Sequence, residues 1–121
     1  MKVKLDNDGF VTEFAHIGEN PACTVFVDAP AGFEFANFRA YRLIDGVLAL
    51  DADRLADLQL EDKQNSIRAR RERECYSVIN RGQLWYEGIS LARLVELRQW
   101  YKAWLDATAT LIIPDKPDWL D

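Results

Sequence analysis

The chain has 121 residues, 49% of them hydrophobic and 29% charged, a composition that excludes the disordered class and a length that suits one hydrophobic core. Its net charge of −5 opposes the phosphate neutralisation on which nucleic-acid binding depends, so we expect no nucleic-acid partner. No apolar run approaches the ~20 residues that span a bilayer. Because Asp6 interrupts the start before a signal-peptide core can form, we expect a cytoplasmic protein without a membrane role.

Short strands separated by turns are predicted for the first fifty residues. Residues 6–9, Asp-Asn-Asp-Gly, predict a tight turn, because these residue types tolerate a positive φ at little cost. The Asp-Gly pair at 45–46 lies between the apolar runs 41–44 and 47–50 and predicts a β-hairpin. Residues 24–27 are β-branched or aromatic and predict one more strand. Three phenylalanines between these strands are expected to anchor the core: Phe33, Phe35 and Phe38.

A long helix is predicted to begin after Asp51. Aspartate is a good N-cap, and neither Gly nor Pro occurs over 52–80, so a helix can continue until Gly82 ends it. Its acidic first half and arginine-rich second half complement the helix dipole. Its apolar stripe is thin, which indicates a helix that partly projects from the core or needs a partner.

A second helix is predicted to begin after Ser90, following a loop over 82–89, and to end near 108–110, because Pro114 and Pro117 prevent its continuation. The expected apolar face consists of residues at helical spacing: Leu91, Leu94, Leu97, Tyr101, Trp104 and Leu105. In the extended tail, Trp119 and Leu120 are expected to fold back as an apolar latch.

Together these elements predict an α+β fold. We expect a small antiparallel sheet of β-hairpins over residues 1–50, followed over 51–121 by an antiparallel two-helix hairpin with an extended Pro/Trp tail. The connection between the helices is short, which favours their packing side by side. The two regions are expected to form one integrated domain.

No catalytic, metal-binding or cofactor-binding residues are predicted. His16 is the single histidine and has no Cys or His at zinc-ligand spacing, so we interpret it as a polar residue of a strand face. A hydrolase would have to use it as the base. Cys23 and Cys75 stand far apart, and we expect both to be buried free thiols rather than a disulfide.

Arginines and aromatic residues supply the candidate contact residues. The arginine cluster over 68–73 is interleaved with glutamates, so we interpret it as a solvated, salt-bridged helix segment, with an anionic partner surface as the alternative. Trp and Tyr dominate both protein cores and interaction hot spots, so each aromatic near the helical connection is either packed or exposed as an anchor. The predicted partner-binding residues are Arg70, Arg73, Trp85, Tyr86 and Trp100.

Five runs in the second half of the chain carry a further pattern: 71–75, 78–82, 84–86, 97–106 and 113–120. Through these runs, residues 66–120 resemble the phage tail assembly chaperone family, whose members combine an Arg-rich helix, an aromatic-Arg/Lys-x-x-Leu-Asp helix and a Pro-Trp ending. One departure lies at the first helix–loop junction, where the family has an acidic–Trp pair and this chain has Asn-Arg-Gly at 80–82.

The resemblance implies a non-enzymatic assembly factor of a phage or prophage tail or tail fibre, whose partners are tail or tail-fibre proteins. It would act in the cytoplasm of the bacterial host during assembly. The alternative is a virion-resident receptor- or carbohydrate-binding module built on the β region and exposed aromatic residues. The oligomeric state is left open.

Overall fold

A computed structural model describes residues 1–15 and 21–121 of the chain. His16 lies outside the described residues. The expected α+β architecture is confirmed: small antiparallel sheets come first, and two long helices in contact with each other follow.

The first sheet has strands β1 (Lys2–Leu5), β2 (Val11–Ala15) and β3 (Val25–Phe26) in the order β2-β1-β3, with both pairings antiparallel. The predicted turn at 6–9 connects β1 and β2. Asp6 holds it, because its Oδ1 atom accepts hydrogen bonds from the main-chain N–H groups of Asp8 and Phe10, both at 2.9 Å. Gly9 has a φ of +88°, a conformation that glycine adopts without steric cost.

The second sheet is the predicted hairpin, formed by β4 (Tyr41–Ile44) and β5 (Val47–Leu50). Asp45 and Gly46 both have positive φ, 52° and 81°, which is the conformation of a type I′ turn. A 3₁₀ segment, Phe35–Ala40, precedes β4. Phe33 and Phe38 pack on the buried core as expected, whereas Phe35 is an exposed residue that meets the Phe33 ring edge to face, with ring centroids 4.8 Å apart.

The first long helix begins as predicted. In α1 (Ala52–Arg71), the Arg54 N–H donates to Asp51 Oδ1 at 2.9 Å, which is the expected N-cap. A five-residue π-helical turn, Glu72–Tyr76, continues α1 into the short α2 (Ser77–Ile79). Among the described residues, no helix has both the length and the apolar character that crossing a membrane requires.

The connection between the long helices differs from the predicted loop. It contains a five-residue helix, α3 (Gln83–Glu87), which follows Gly82 at a φ of +98°. The second long helix, α4 (Leu91–Thr110), is capped by Ser90 as expected, since Ser90 Oγ accepts from the Arg93 N–H at 3.3 Å. It ends where predicted, at a left-handed Leu111.

The long helices pack antiparallel. The Gln64 side-chain amide donates to the Thr108 carbonyl at 3.2 Å, and Arg71 Nη1 donates to the Trp104 carbonyl at 3.3 Å. Advancing along the first helix therefore corresponds to moving back along α4. The tail latch is also confirmed, because Leu120 is buried in the core of this region.

The apolar face of α4 is rotated from the expected one. Leu97, Trp100, Trp104 and Ala107 are its buried residues, at spacings of three and four that align on one side of a helix. Leu91, at 75% exposure, and Leu105 lie on the solvent side, so their assignment to the core was wrong.

The chain divides into two compact units, Met1–Gln59 and Leu60–Asp121, so the boundary between the units lies inside α1. Each unit has its own buried cluster. Val3, Val11, Val27, Tyr41 and Leu48 form the first. The second consists of Ile67, Cys75, Val78, Leu97, Trp100, Trp104, Ala107 and Leu120.

Candidate interaction surface

The C-terminal unit presents arginine and aromatic side chains around α3. The guanidinium of Arg81 lies over the Trp85 ring, 4.9 Å from its centroid, and the Trp85 and Tyr86 rings meet edge to face at 5.0 Å. Trp85 is half-buried against the helical core, and its neighbour Leu84 is 87% exposed. Gly82 turns the chain so that α3 can present this group.

A second arginine–tryptophan pair comes from α4 and the tail. The guanidinium of Arg93 lies 5.3 Å from the centroid of the Trp119 ring, and the Trp119 indole N–H donates to Glu96 Oε2 at 2.7 Å. Arg81 Nη2 also donates to the main-chain oxygen of Asp121 at 2.6 Å. These contacts hold the tail next to α3, which explains why residues distant in sequence share one surface.

We call this group the aromatic–arginine surface, and it surrounds a shallow pocket of about 310 Å³. Trp and Arg are the residue types most enriched in interaction hot spots, because their large flat side chains combine apolar area with hydrogen-bond donors. The stacked guanidinium groups restrict the aromatic rings before any partner binds. The residues of the surface are Arg81, Leu84, Trp85, Arg93 and Trp119.

Tyr86 faces a different part of the unit from Trp85. Its hydroxyl donates to the Ile79 carbonyl at 2.6 Å, and burial raises the pKa of the phenol. With Ile79, Leu97 and Tyr101 it lines a separate apolar depression of about 290 Å³. The structure therefore gives Tyr86 a packing role that the sequence left open.

A cleft of about 430 Å³ lies beside the aromatic–arginine surface, and we call it the charged cleft. Trp100 and Trp104 contribute to its lining, with Val78, Ile113 and Pro114 as further apolar residues. Its polar lining is Arg70, Glu74, Ser77, Arg81, Asp115, Lys116 and Asp121.

Trp100 is a core residue, with 6% of its surface exposed. Packing therefore accounts for the burial of this residue, which the sequence predicts as a partner-binding residue. The physical reason is the rotation of the α4 face, which moves Trp100 from the margin of the expected apolar stripe to its middle.

The two predicted arginines have different surroundings. Arg70 makes a two-pronged ion pair with Glu74 one helical turn later, with Nε–Oε2 at 2.6 Å and Nη2–Oε1 at 3.2 Å. Its hydrogen bond lowers the pKa of the Glu74 carboxyl. Arg73 Nη2 is 3.9 Å from Glu74 Oε2, and its side chain is 70% exposed. Arg70 thus contributes to the charged cleft, whereas Arg73 points to solvent and pairs only loosely.

Few groups suited to catalysis lie in the described part of the chain. Cys75 is completely buried, and burial raises the pKa of its thiol to about 11, so the thiolate nucleophile is scarce at neutral pH. Cys23 is buried as well, and both thiols are free. Over residues 1–15 and 21–121, no three His, Cys, Asp or Glu side chains are grouped so as to hold a metal ion.

Comparisons with known proteins find no counterpart for this arrangement. No protein-family model matches the chain. Neither a search of curated proteins nor a search of solved structures finds a significantly similar protein.

The sequence predicts Trp85 as a contact residue but does not predict the side chains that surround it. Arg81 was assigned to the end of a helix, and Arg93 was not singled out. Trp119 was expected to pack, without its acceptor Glu96. These contacts could have been predicted from the expected fold-back of the tail, because it brings Trp119 towards the helix that carries Arg93 and Glu96.

Proposed function

We propose that the chain is a non-enzymatic assembly factor of a phage or prophage tail or tail fibre, which acts through contacts with tail or tail-fibre proteins. The aromatic–arginine surface carries the proposal. The resemblance of residues 66–120 to the phage tail assembly chaperone family supports the tail context. Assembly would take place in the cytoplasm of the bacterial host.

The chemistry of the surface suits a protein partner. Leu84 offers an aliphatic side chain that is almost fully in solvent, and burying such a side chain contributes roughly 1.5–3 kcal/mol. Trp85 and Trp119 are each held by an arginine, so a partner orders few additional rotamers when it binds. Removing a hot-spot side chain from such an interface costs about 2 kcal/mol or more.

Co-purification with a co-expressed tail-fibre protein tests the proposal. We expect Leu84→Ala and Trp85→Ala to reduce recovery of the partner at least tenfold. Ile112→Ala is the matched control, because Ile112 is also an exposed aliphatic residue of this unit but lies outside the aromatic–arginine surface. Because Leu84 is exposed, its variant should retain the thermal unfolding midpoint of the parent chain. Unchanged recovery with both variants would refute the proposal.

The alternative, a virion-resident receptor- or carbohydrate-binding module, is less well supported. Sugar-binding platforms need free aromatic ring faces, and arginine lies over one face of both Trp85 and Trp119. Mass spectrometry of purified particles separates the two functions, since an assembly factor is absent from mature virions and a binding module is present. Glycan-array binding would then favour the alternative.

A further inference from the structure

Two residues that line the charged cleft carry hydrogen-bond donors that nothing in the described part of the chain satisfies. The indole N–H groups of Trp100 and Trp104 have no acceptor there, although both residues are buried, Trp104 to 1% exposure. Buried tryptophan N–H groups usually find a partner, because an unmade hydrogen bond in the interior costs about 1–3 kcal/mol. Two such donors, on residues that line one cleft, make that cleft a candidate place for hydrogen-bond acceptors.

The charges around the cleft restrict the chemistry of those acceptors. Arg70, Arg81 and Lys116 are balanced by the carboxylates of Glu74, Asp115 and Asp121. Arg70 is already paired with Glu74. Equal numbers of basic and acidic side chains around the cleft disfavour the binding of a phosphate or another concentrated anion, because each carboxylate repels it. Main-chain carbonyls are neutral acceptors, so the pattern favours a peptide.

The position of the cleft gives the peptide a direction. Arg81 and Asp121 line both the charged cleft and the pocket of the aromatic–arginine surface, so the two depressions adjoin at this pair. A volume of about 430 Å³ falls within the range of sites that bind small ligands, and it suits a few residues of an extended chain.

We propose that the charged cleft binds an extended peptide segment of the partner, whose main-chain carbonyls accept hydrogen bonds from the indole N–H groups of Trp100 and Trp104. The same segment continues past Arg81 and places an apolar side chain against Leu84 and Trp85. Both indole nitrogens expose less than 1 Å², so covering side chains move aside as the peptide enters. This inference rests on the proposed function in that the partner is a protein.

Peptide selection followed by NMR tests the inference. Peptides are selected from a random nine-residue display library on the full chain and titrated into ¹⁵N-labelled protein. The chain has four tryptophans, whose indole N–H signals are assigned by single Trp→Phe variants. We expect the Trp100 and Trp104 signals to shift together and to saturate with the same affinity.

Two variants sharpen the test. Trp100→Phe keeps an aromatic ring in the core and removes one donor, so peptide affinity should fall about fivefold. Ser77→Gln changes an exposed cleft residue, extends a longer side chain into the cleft and should weaken binding on the order of tenfold without affecting the fold. Failure to select any peptide, or selected peptides that shift only the Trp85 and Trp119 signals, would overturn the inference.

Co-purification separates this inference from the proposed function. If Leu84→Ala abolishes recovery of the tail-fibre protein and Ser77→Gln leaves it unchanged, the peptide cleft is refuted and the proposed function stands. If recovery survives both variants, the proposed function itself is refuted.

Discussion

The two units of the chain differ in charge as well as in architecture. Residues 1–59 contain five basic and ten acidic residues, so they account for the whole net charge of −5, whereas residues 60–121 contain ten of each. The net charge of the whole chain is therefore that of the N-terminal unit, and the C-terminal unit is neutral overall. In the C-terminal unit, where the charges balance, Arg70 pairs with Glu74, while Arg81 and Arg93 lie over aromatic rings.

The buried clusters differ in the same way. The N-terminal cluster is built from valines, Tyr41 and Leu48, surrounded by phenylalanines on strands and turns. The C-terminal cluster is built around Trp100 and Trp104, whose indoles bring polar N–H groups into the interior. In the N-terminal cluster, the Tyr41 hydroxyl oxygen is satisfied, since it accepts a hydrogen bond from the Glu34 N–H at 3.1 Å. The indole donors of Trp100 and Trp104 in the C-terminal cluster have no acceptor among the described residues.

The largest expected effect comes from removing the central indole of the C-terminal cluster. Trp104→Ala should lower the free energy of unfolding by about 3–5 kcal/mol, because it leaves a large cavity in a buried cluster. Leu105→Ala is the neighbouring control on the solvent side of α4 and should cost well under ~1 kcal/mol. Urea unfolding measures both. Equal losses would contradict the observed rotation of the α4 face.

Alkaline pH should weaken the fold through Cys75. Burial raises its pKa from the ordinary 9.0 to about 11, so between these values the unfolded chain loses a proton that the folded chain retains. Stability is complete below pH 9 and falls as the pH rises towards 11, by roughly 1–3 kcal/mol. Urea unfolding at pH 8, 9 and 10 should show this slope, and Cys75→Ala should reduce it. If the Cys75→Ala variant lost stability with rising pH as steeply as the parent chain, a group other than Cys75 would be responsible.

The two units also offer a matched pair of glycine substitutions. Gly46→Ala should cost about 1–2 kcal/mol, because Gly46 has a φ of +81° in the hairpin turn. Gly88→Ala should be neutral or stabilising by up to about 1 kcal/mol, since Gly88 has a helical φ of −83° and a Cβ there meets the Trp85 carbonyl at an ordinary 3.5 Å. Thermal unfolding measures the stability of both variants. An equal loss of stability in the two would contradict the turn conformation assigned to residues 45–46.

The smallest expected effect concerns the Arg70–Glu74 pair. Because the hydrogen bond from Arg70 lowers the pKa of Glu74, the stability that this pair contributes is present above the ordinary glutamate pKa and is lost as pH falls through the lowered value. Both side chains are well exposed, so the contribution is small. Glu74→Gln should therefore shift the unfolding midpoint slightly at pH 7 and not at pH 2. An equal shift of the unfolding midpoint at pH 7 and pH 2 would mean that the charge of Glu74 does not contribute to stability.

Much of the fold was predictable from local chemistry. Asp51 and Ser90 cap helices where expected, and the Asp-Gly turn at 45–46 forms the expected hairpin. Each of these depends on a side chain and main-chain groups only a few residues away. The short helix α3 was missed, because five residues carry too little periodicity to distinguish a helical turn from a loop.

The candidate surface was predictable only in part. Trp85 stood out by residue type, but its role depends on Arg81, and the tail joins the same surface through Trp119, Glu96 and Arg93. These partners are separated by up to 26 residues, between Arg93 and Trp119, and no local pattern encodes such pairs. Trp100 lies in the core because its side of α4 faces the first long helix, and that orientation is likewise not encoded in a local pattern.

The sequence by itself determined where the strands, turns and long helices begin and end, because caps and turns are settled by neighbouring atoms. It also determined which residue types were present to form a contact surface. Only the tertiary structure decided which of these residues are in contact. Their contacts depend on which side of α4 packs against the first long helix, and on the tail folding back onto α4. The packing of the two long helices brings Trp100 and Trp104 into one cleft, and the tail carries Trp119 to Arg93.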